Sequence, residues 1–109
     1  IYKNNLPKNV FFPIEKKDEF NTYHTFVVQI NKRNKLKKYL EKKGIGTSIH
    51  YPVPIHLQPA SKIFNYKRGD FPIAEKQSGR ILSLPIHQDL KKTEILHICS
   101  EINNFYKNL

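Results

Sequence analysis

The sequence contains no methionine and a single cysteine in 109 residues. A natural coding region begins with methionine, so a chain that opens on Ile1 and has none anywhere is expected to be a piece of a longer protein. The lone thiol, Cys99, excludes an internal disulfide and a cysteine metal cluster, which fits a reducing, cytoplasmic setting. Cys99 falls on the apolar side of a predicted helix and is expected to be a small buried hydrophobe. Apolar runs extend for only a few residues, too short for a membrane-spanning helix or for the apolar stretch of a signal peptide. Glycine is scarce, and no phosphate-cradling glycine loop is present: Gly44-Ile45-Gly46 follows a predicted helix and does not open one.

Acidic side chains are also few, 9 against 19 basic, for a formal net charge of +10. Such an excess could steer a domain to nucleic acid, anionic lipid or a phosphorylated ligand. Much of it lies in Lys32, Arg33, Lys35, Lys37, Lys38, Lys42 and Lys43, with no aromatic array or base-reading motif beside it. A solvated lysine face is the simpler reading. A content of 39% hydrophobic and 12% aromatic residues is that of a folded chain, and the length suits one domain with a modest core.

The stretch from Gly44 to Pro59 organises the rest. It opens as a helix stop, runs through a short predicted strand, Thr47 to Tyr51, and ends in a loop bracketed by Pro52, Pro54 and Pro59. Those prolines fix φ and restrict their neighbours, so little entropy is lost in holding the loop still. The loop carries His50, Tyr51, His56 and Gln58, alternating with Ile49, Val53, Ile55 and Leu57. Such a stiff, polar-studded loop presents side chains to something; the plainer alternative is a surface connection with ordinary histidines.

Around it the pattern predicts short strands and helices in alternation. Val10 to Phe12 reads as a strand stopped by Pro13, and Thr22 to Ile30 as a half-buried strand with Phe26, Val28 and Ile30 on one face. A helix to about Lys43 follows, capped by Asn34 or Asn31, with Leu36, Tyr39 and Leu40 as its apolar stripe. Gly44 suits a left-handed C-cap, and Leu40 and Ile45 fall at the two positions that touch in a Schellman closure. Ala60 to Tyr66 is a short helix candidate, Lys67 to Asp70 a turn, and Pro72 the first residue of a further helix. Ile81 to Leu84 reads as a strand closed by Pro85, and Lys92 to Tyr106 as the last helix. The result is an α/β sandwich: a small, mostly antiparallel sheet with helices on one side.

Taken residue by residue, the chemistry stops early. His24, His50, His56 and His87 are candidate metal ligands, but the six-residue step from His50 to His56 across two prolines is no recognised spacing, and no metal is expected. Ser48, Ser61 and Ser83 have no context that marks a nucleophile.

The order of motifs goes further. His50-Tyr51-Pro52-Val53-Pro54-Ile55-His56, then Phe71-Pro72-Ile73-Ala74-Glu75, then Ser83-Leu84-Pro85-Ile86-His87 follow one another at spacings that are together specific. In these runs, and over nearly its whole length, the chain resembles the C-terminal small domain of the DegT/DnrJ/EryC1/StrS family of sugar aminotransferases. The resemblance implies the small domain of a fold-type I enzyme dependent on pyridoxal phosphate. It implies transfer of an amino group, with glutamate as donor, to a nucleotide-linked keto-sugar in a homodimer, with no nucleic acid or membrane partner. The Schiff-base lysine and most cofactor contacts belong to the family's large domain, so no cofactor-binding residue is expected in this chain, and the chain alone is expected to be inert. His50 matches a position where some members place a histidine near the reacting centre, which makes it an auxiliary catalytic candidate. Tyr51 and His56 match positions that line the sugar and pyrophosphate region. The family also includes sugar dehydratases and regulatory members; those are the alternatives, with a basic nucleic-acid-binding module the more distant one.

Overall fold

Two short strands form the centre of the computed structural model, which describes residues 1–109. Strand β1 (Phe26–Gln29) runs antiparallel to β2 (Ile81–Leu84), pairing Phe26 with Leu84 and Val28 with Leu82. Successive side chains of a strand point to opposite faces, so these four apolar residues share one face and are all buried. Val27, Gln29, Ile81 and Ser83 therefore share the other face. Single-residue bridges, Phe11 to Gln29 and Ser48 to Ser83, widen the sheet on both sides.

The apolar face of the sheet is covered by helices. Helix α2 (Arg33–Lys42) brings Leu36 and Leu40, and α4 (Lys92–Lys107) brings Ile98, Cys99 and Ile102. Each leucine so buried contributes about 1.5–3 kcal/mol relative to leaving it in water. The short α1 (Tyr2–Asn5) docks on α4, where Asn103 Nδ2 donates to the Asn5 carbonyl at 3.0 Å. Its Tyr2 ring stacks on Phe26 at 4.8 Å, and the hydroxyl donates to the Pro85 carbonyl at 2.8 Å. Cys99 is buried, as its place in the helical pattern predicts. No helix is long and apolar enough to cross a membrane.

Several boundaries differ from the sequence expectation, each for a local reason. The expected strand from Thr22 begins only at Phe26, because Tyr23 takes a left-handed φ of 51° and gives its N–H to Asn21 Oδ1 at 2.8 Å. The expected strand Val10 to Phe12 reduces to the Phe11 bridge, beside Pro13, which has no N–H to continue a ladder. The expected strand Thr47 to Tyr51 reduces to the Ser48–Ser83 pair. One step outward in that register stands Pro85, which has no N–H; in the other direction the Ile81 carbonyl is already taken by Arg33 Nη1 at 3.0 Å. Neither asparagine caps α2. Lys32 stands at that position in a left-handed conformation, and Asn31 Oδ1 accepts from Arg80.

The end of α2 matches its prediction. Gly44, with φ 75°, donates to the Glu41 carbonyl at 3.0 Å, and Ile45 donates to the Leu40 carbonyl at 2.9 Å. That is the Schellman pair of bonds, and it delivers Leu40 and Ile45 together into the core. Beyond the sheet the chain packs more loosely. The helix expected at Ala60 to Tyr66 is a 3-10 helix, Pro59–Phe64, preceded by a 3-10 turn, Ile55–Leu57. Ser61 is the buried residue of those two segments, and α3 (Pro72–Ser78) buries none of its side chains.

Candidate functional site

The organising loop leaves the sheet at Ser48, so its side chains fall on both sides of a ridge. His50 returns to the sheet's polar face. Its Nδ1 lies 2.9 Å from the hydroxyl of Ser83, which β2 presents opposite to the core leucines Leu82 and Leu84. Ser83 is buried and His50 exposed, so the serine fixes the imidazole at one nitrogen and leaves the other edge toward solvent. The pair sits in a cleft of about 190 Å³ that also includes His24, Thr25, Thr47 and Ser48. Thr47 Oγ1 is buried there without a hydrogen-bond partner. Hydroxyls and two imidazoles, His24 and His50, make this cleft suited to polar, hydrogen-bonding ligands.

The next residue, Tyr51, turns the other way. Its ring meets His50 edge-on at 5.5 Å, is 71% exposed, and forms part of the rim of a second, larger cavity of about 530 Å³. His56 is in that cavity's wall. Its Nε2 lies 2.9 Å from Glu75 Oε1, and its ring packs on Phe71 at 4.8 Å. Glu75 also accepts the Gly69 N–H at 2.7 Å. The Gly69 N–H first, and His56 second, hold the Glu75 carboxyl below the usual carboxylate range. Phe64, Tyr66 and Phe71 add aromatic surface to the wall, beside aliphatic Val53, Pro54, Ile55 and Ile81.

The three residues singled out from sequence are thus divided. Tyr51 and His56 share one cavity, and His50 occupies the neighbouring cleft on the other side of the ridge. His24 shares the cleft with His50, while His87 lines a separate hollow beside Tyr2. No three histidine, cysteine, aspartate or glutamate side chains converge in a way that would hold a metal ion. Sequence reasoning missed the partners, Ser83 and Glu75. The alternation of Leu82, Ser83 and Leu84 already put the serine on the face away from the core. Glu75 gave no such signal, because its role depends on a contact 19 residues back along the chain.

Neither cavity is lined by a lysine, so these residues offer no amine for a Schiff base and do not by themselves fit pyridoxal phosphate. The α2 lysines Lys35, Lys38 and Lys42 are exposed, and Lys43 reaches Glu101 at 3.5 Å beside the Tyr39 ring.

Among known proteins, the chain is 34% identical over 99 residues to a pleiotropic regulatory protein of Geobacillus stearothermophilus, covering 91% of this chain and 27% of that one. It is 33% identical over 93 residues to the dTDP-3-amino-3,4,6-trideoxy-alpha-D-glucose transaminase of Streptomyces venezuelae, covering 85% of this chain and 24% of the relative. The chain therefore spans about a quarter of the length of the curated relatives it matches. The fold superposes on the crystal structure of S. venezuelae DesV in complex with a ketimine intermediate, with a TM-score of 0.86 and 32% identity over 95% of this chain and 28% of that one. The sequence profile of the DegT/DnrJ/EryC1/StrS aminotransferase family matches residues 1–103, and the chain belongs to that family.

Proposed function

We propose that these residues are the C-terminal small domain of a pyridoxal-phosphate-dependent aminotransferase that moves an amino group from glutamate to a nucleotide-linked keto-sugar. The family match over residues 1–103 carries this reading. The sugar-nucleotide transaminase among its relatives supports the substrate class. In this reading the cofactor and its lysine belong to a large domain outside these 109 residues, the whole protein is a cytoplasmic homodimer, and the chain alone is inert. The part played by this chain is to wall the sugar end of the site. His50, oriented by Ser83, gives one imidazole edge to hydrogen-bond the substrate or a developing charge near the reacting carbon. Tyr51 and His56 line the neighbouring cavity for the sugar and pyrophosphate portion.

The test is on the full-length protein. Pyridoxal phosphate is added, then glutamate, and the cofactor's absorbance is followed. Conversion of the cofactor to its amine form is the expected result. Cofactor binding without conversion points to a dehydratase of the same family.

A second reading, a regulatory member of the family, is favoured by the similarity to the pleiotropic regulatory protein. It predicts a full-length protein that neither converts the cofactor nor turns over a sugar nucleotide.

A further inference from the structure

The walls of the larger cavity bury few of their own side chains. Helix α3 buries none of its side chains, and the two 3-10 segments bury Ser61 alone. Ring contacts of Phe71 with His56 at 4.8 Å and with Tyr66 at 5.0 Å join them, and polar ties at Glu75 add to these. One carboxylate oxygen receives both His56 Nε2, at 2.9 Å, and the Gly69 N–H, at 2.7 Å. The other lies 4.0 Å from Arg68, whose side chain is 82% exposed and adds little. The His56 and Glu75 side chains are themselves well enclosed, at 7% and 13% exposure.

The direction of the hydrogen bond follows from charge. A carboxyl held below the usual range is ionised near neutral pH, and an ionised carboxylate only accepts. The hydrogen between Glu75 and His56 therefore sits on His56 Nε2. His56 makes its one hydrogen bond of the chain through that atom, so Nδ1 is uncommitted. Three other polar groups of the lining donate to backbone carbonyls: Gln58 Nε2 to Val53, Ser61 Oγ to Ile55 and Ser78 Oγ to Glu75; Tyr51, Tyr66 and Gln77 are its remaining polar side chains. No carboxylate, lysine or arginine lines the cavity. With Nε2 engaged by Glu75, Nδ1 is the remaining ring nitrogen of His56, in the wall of a cavity of aromatic and aliphatic surface.

We propose that Glu75 is a positioning residue of this cavity: it holds His56 through the hydrogen on Nε2, which leaves Nδ1, in the neutral ring, to accept from an O–H or N–H donor of a bound nucleotide. The identity of the ligand rests on the nucleotide-sugar reading above; the tautomer of His56 does not.

The test uses the full-length protein labelled with ¹⁵N-histidine, His56 being assigned by its loss in His56→Gln. At pH 8 the wild type is expected to show a protonated Nε2 and a bare Nδ1. In Glu75→Gln the carboxamide serves as donor or acceptor, so the two nitrogens should move toward an average. Titration with UDP, dTDP and GDP, each carrying N–H donors on the base or O–H donors on the sugar, reads the consequence. Both Glu75→Gln and His56→Gln should weaken binding about tenfold, the scale of one hydrogen bond. The double variant should bind no more weakly than His56→Gln, since Glu75 acts through His56. A wild-type His56 with the hydrogen on Nδ1 overturns the proposal without any variant having to fold. Equal nucleotide affinity in all the variants overturns its ligand half. A wild type that binds none of the three nucleotides, yet shows the expected tautomer, overturns the nucleotide-sugar reading of the cavity and leaves the Glu75–His56 tie standing.

Discussion

His50 Nδ1 and Ser83 Oγ meet at 2.9 Å, although 33 residues separate them in the chain. The contact joins the organising loop to the polar face of β2, one residue from the core on either side. The Ser48–Ser83 bridge brings the two segments together, and Ser83 then contributes its backbone to Ser48 and its hydroxyl to His50. A histidine oriented by a buried hydroxyl has one tautomer-dependent bond and one free edge, an arrangement suited to hydrogen-bonding a ligand.

In the full-length protein His50→Ala should lower turnover about tenfold or more, as loss of a positioned acid–base or hydrogen-bonding group does. Ser83→Ala should cost about 1 kcal/mol of stability and produce a smaller loss of turnover. The double variant should be no slower than His50→Ala, because Ser83 acts through the ring. His97, exposed on α4, is the control, and His97→Ala should leave the rate unchanged. Steady-state rates beside urea unfolding curves check all four. An equal fall in the His97 variant would remove the special role of His50.

Legibility followed the range of the interactions. The β2 strand, the first residue of α3 and the closure of α2 were readable because Pro72, Gly44 and Pro85 act on their immediate neighbours. The core was readable because Phe26, Val28 and Ile30 alternate, while Ile98 and Ile102 recur at helical spacing. The start of α2 was not, because Asn31 is drawn to Arg80 across the fold and Lys32 takes the left-handed conformation instead. Outer strands failed similarly: whether Thr47 to Tyr51 forms a ladder depends on Arg33 reaching the Ile81 carbonyl first. Motif order marked His50, Tyr51 and His56 for attention, but only the folded chain shows them divided between two hollows.

Two glycines at helix ends should respond oppositely to alanine. Gly44 has φ 75°, and although a Cβ there would meet nothing within 4 Å, the left-handed conformation itself costs an L-residue about 1–2 kcal/mol. Gly79 has φ −77°, and its added Cβ would make only ordinary contacts, at 3.6 Å from the Lys76 carbonyl oxygen. Gly44→Ala should therefore destabilise by about 1 kcal/mol. Gly79→Ala should be neutral or stabilise by up to about 1 kcal/mol, through the unfolded chain. Denaturant midpoints of the two variants decide it, and a reversed order would mean that the Schellman closure is not formed.

Cys99 is 2% exposed on α4 between Ile98 and the Asn103 side chain, which donates to its carbonyl at 2.8 Å. Burial pushes the thiol above its ordinary pKa, so thiolate is scarce as well as shielded. Iodoacetamide should leave Cys99 unmodified in the native protein and label it fully in denaturant, as read by peptide mass mapping. Rapid native labelling would mean that α4 detaches from the sheet.

Glu15 ties the loop before β1 to α1. Lys3 Nζ lies 2.7 Å from Oε2, and the Asn21 N–H donates to Oε1 at 3.0 Å. Lys3 foremost, with Tyr23 and the Asn21 N–H adding to it, lowers the carboxyl from 4.5 to about 2. A folded pKa below the unfolded one means that the tie is fully stabilising above about 4.5 and is lost as pH falls from there through 2. The Asn21 amide shift should accordingly titrate near the low value in the wild type. In Lys3→Ala its midpoint should move up toward the ordinary carboxylate range, and in Glu15→Gln the titration should vanish. Because the side chains of the pair are about a third exposed, at 34% and 31%, added salt should also shift the wild-type midpoint upward. An Asn21 amide that titrates near 4.5 in the wild type, insensitive to Lys3, would show that the loop is held by something other than this carboxylate.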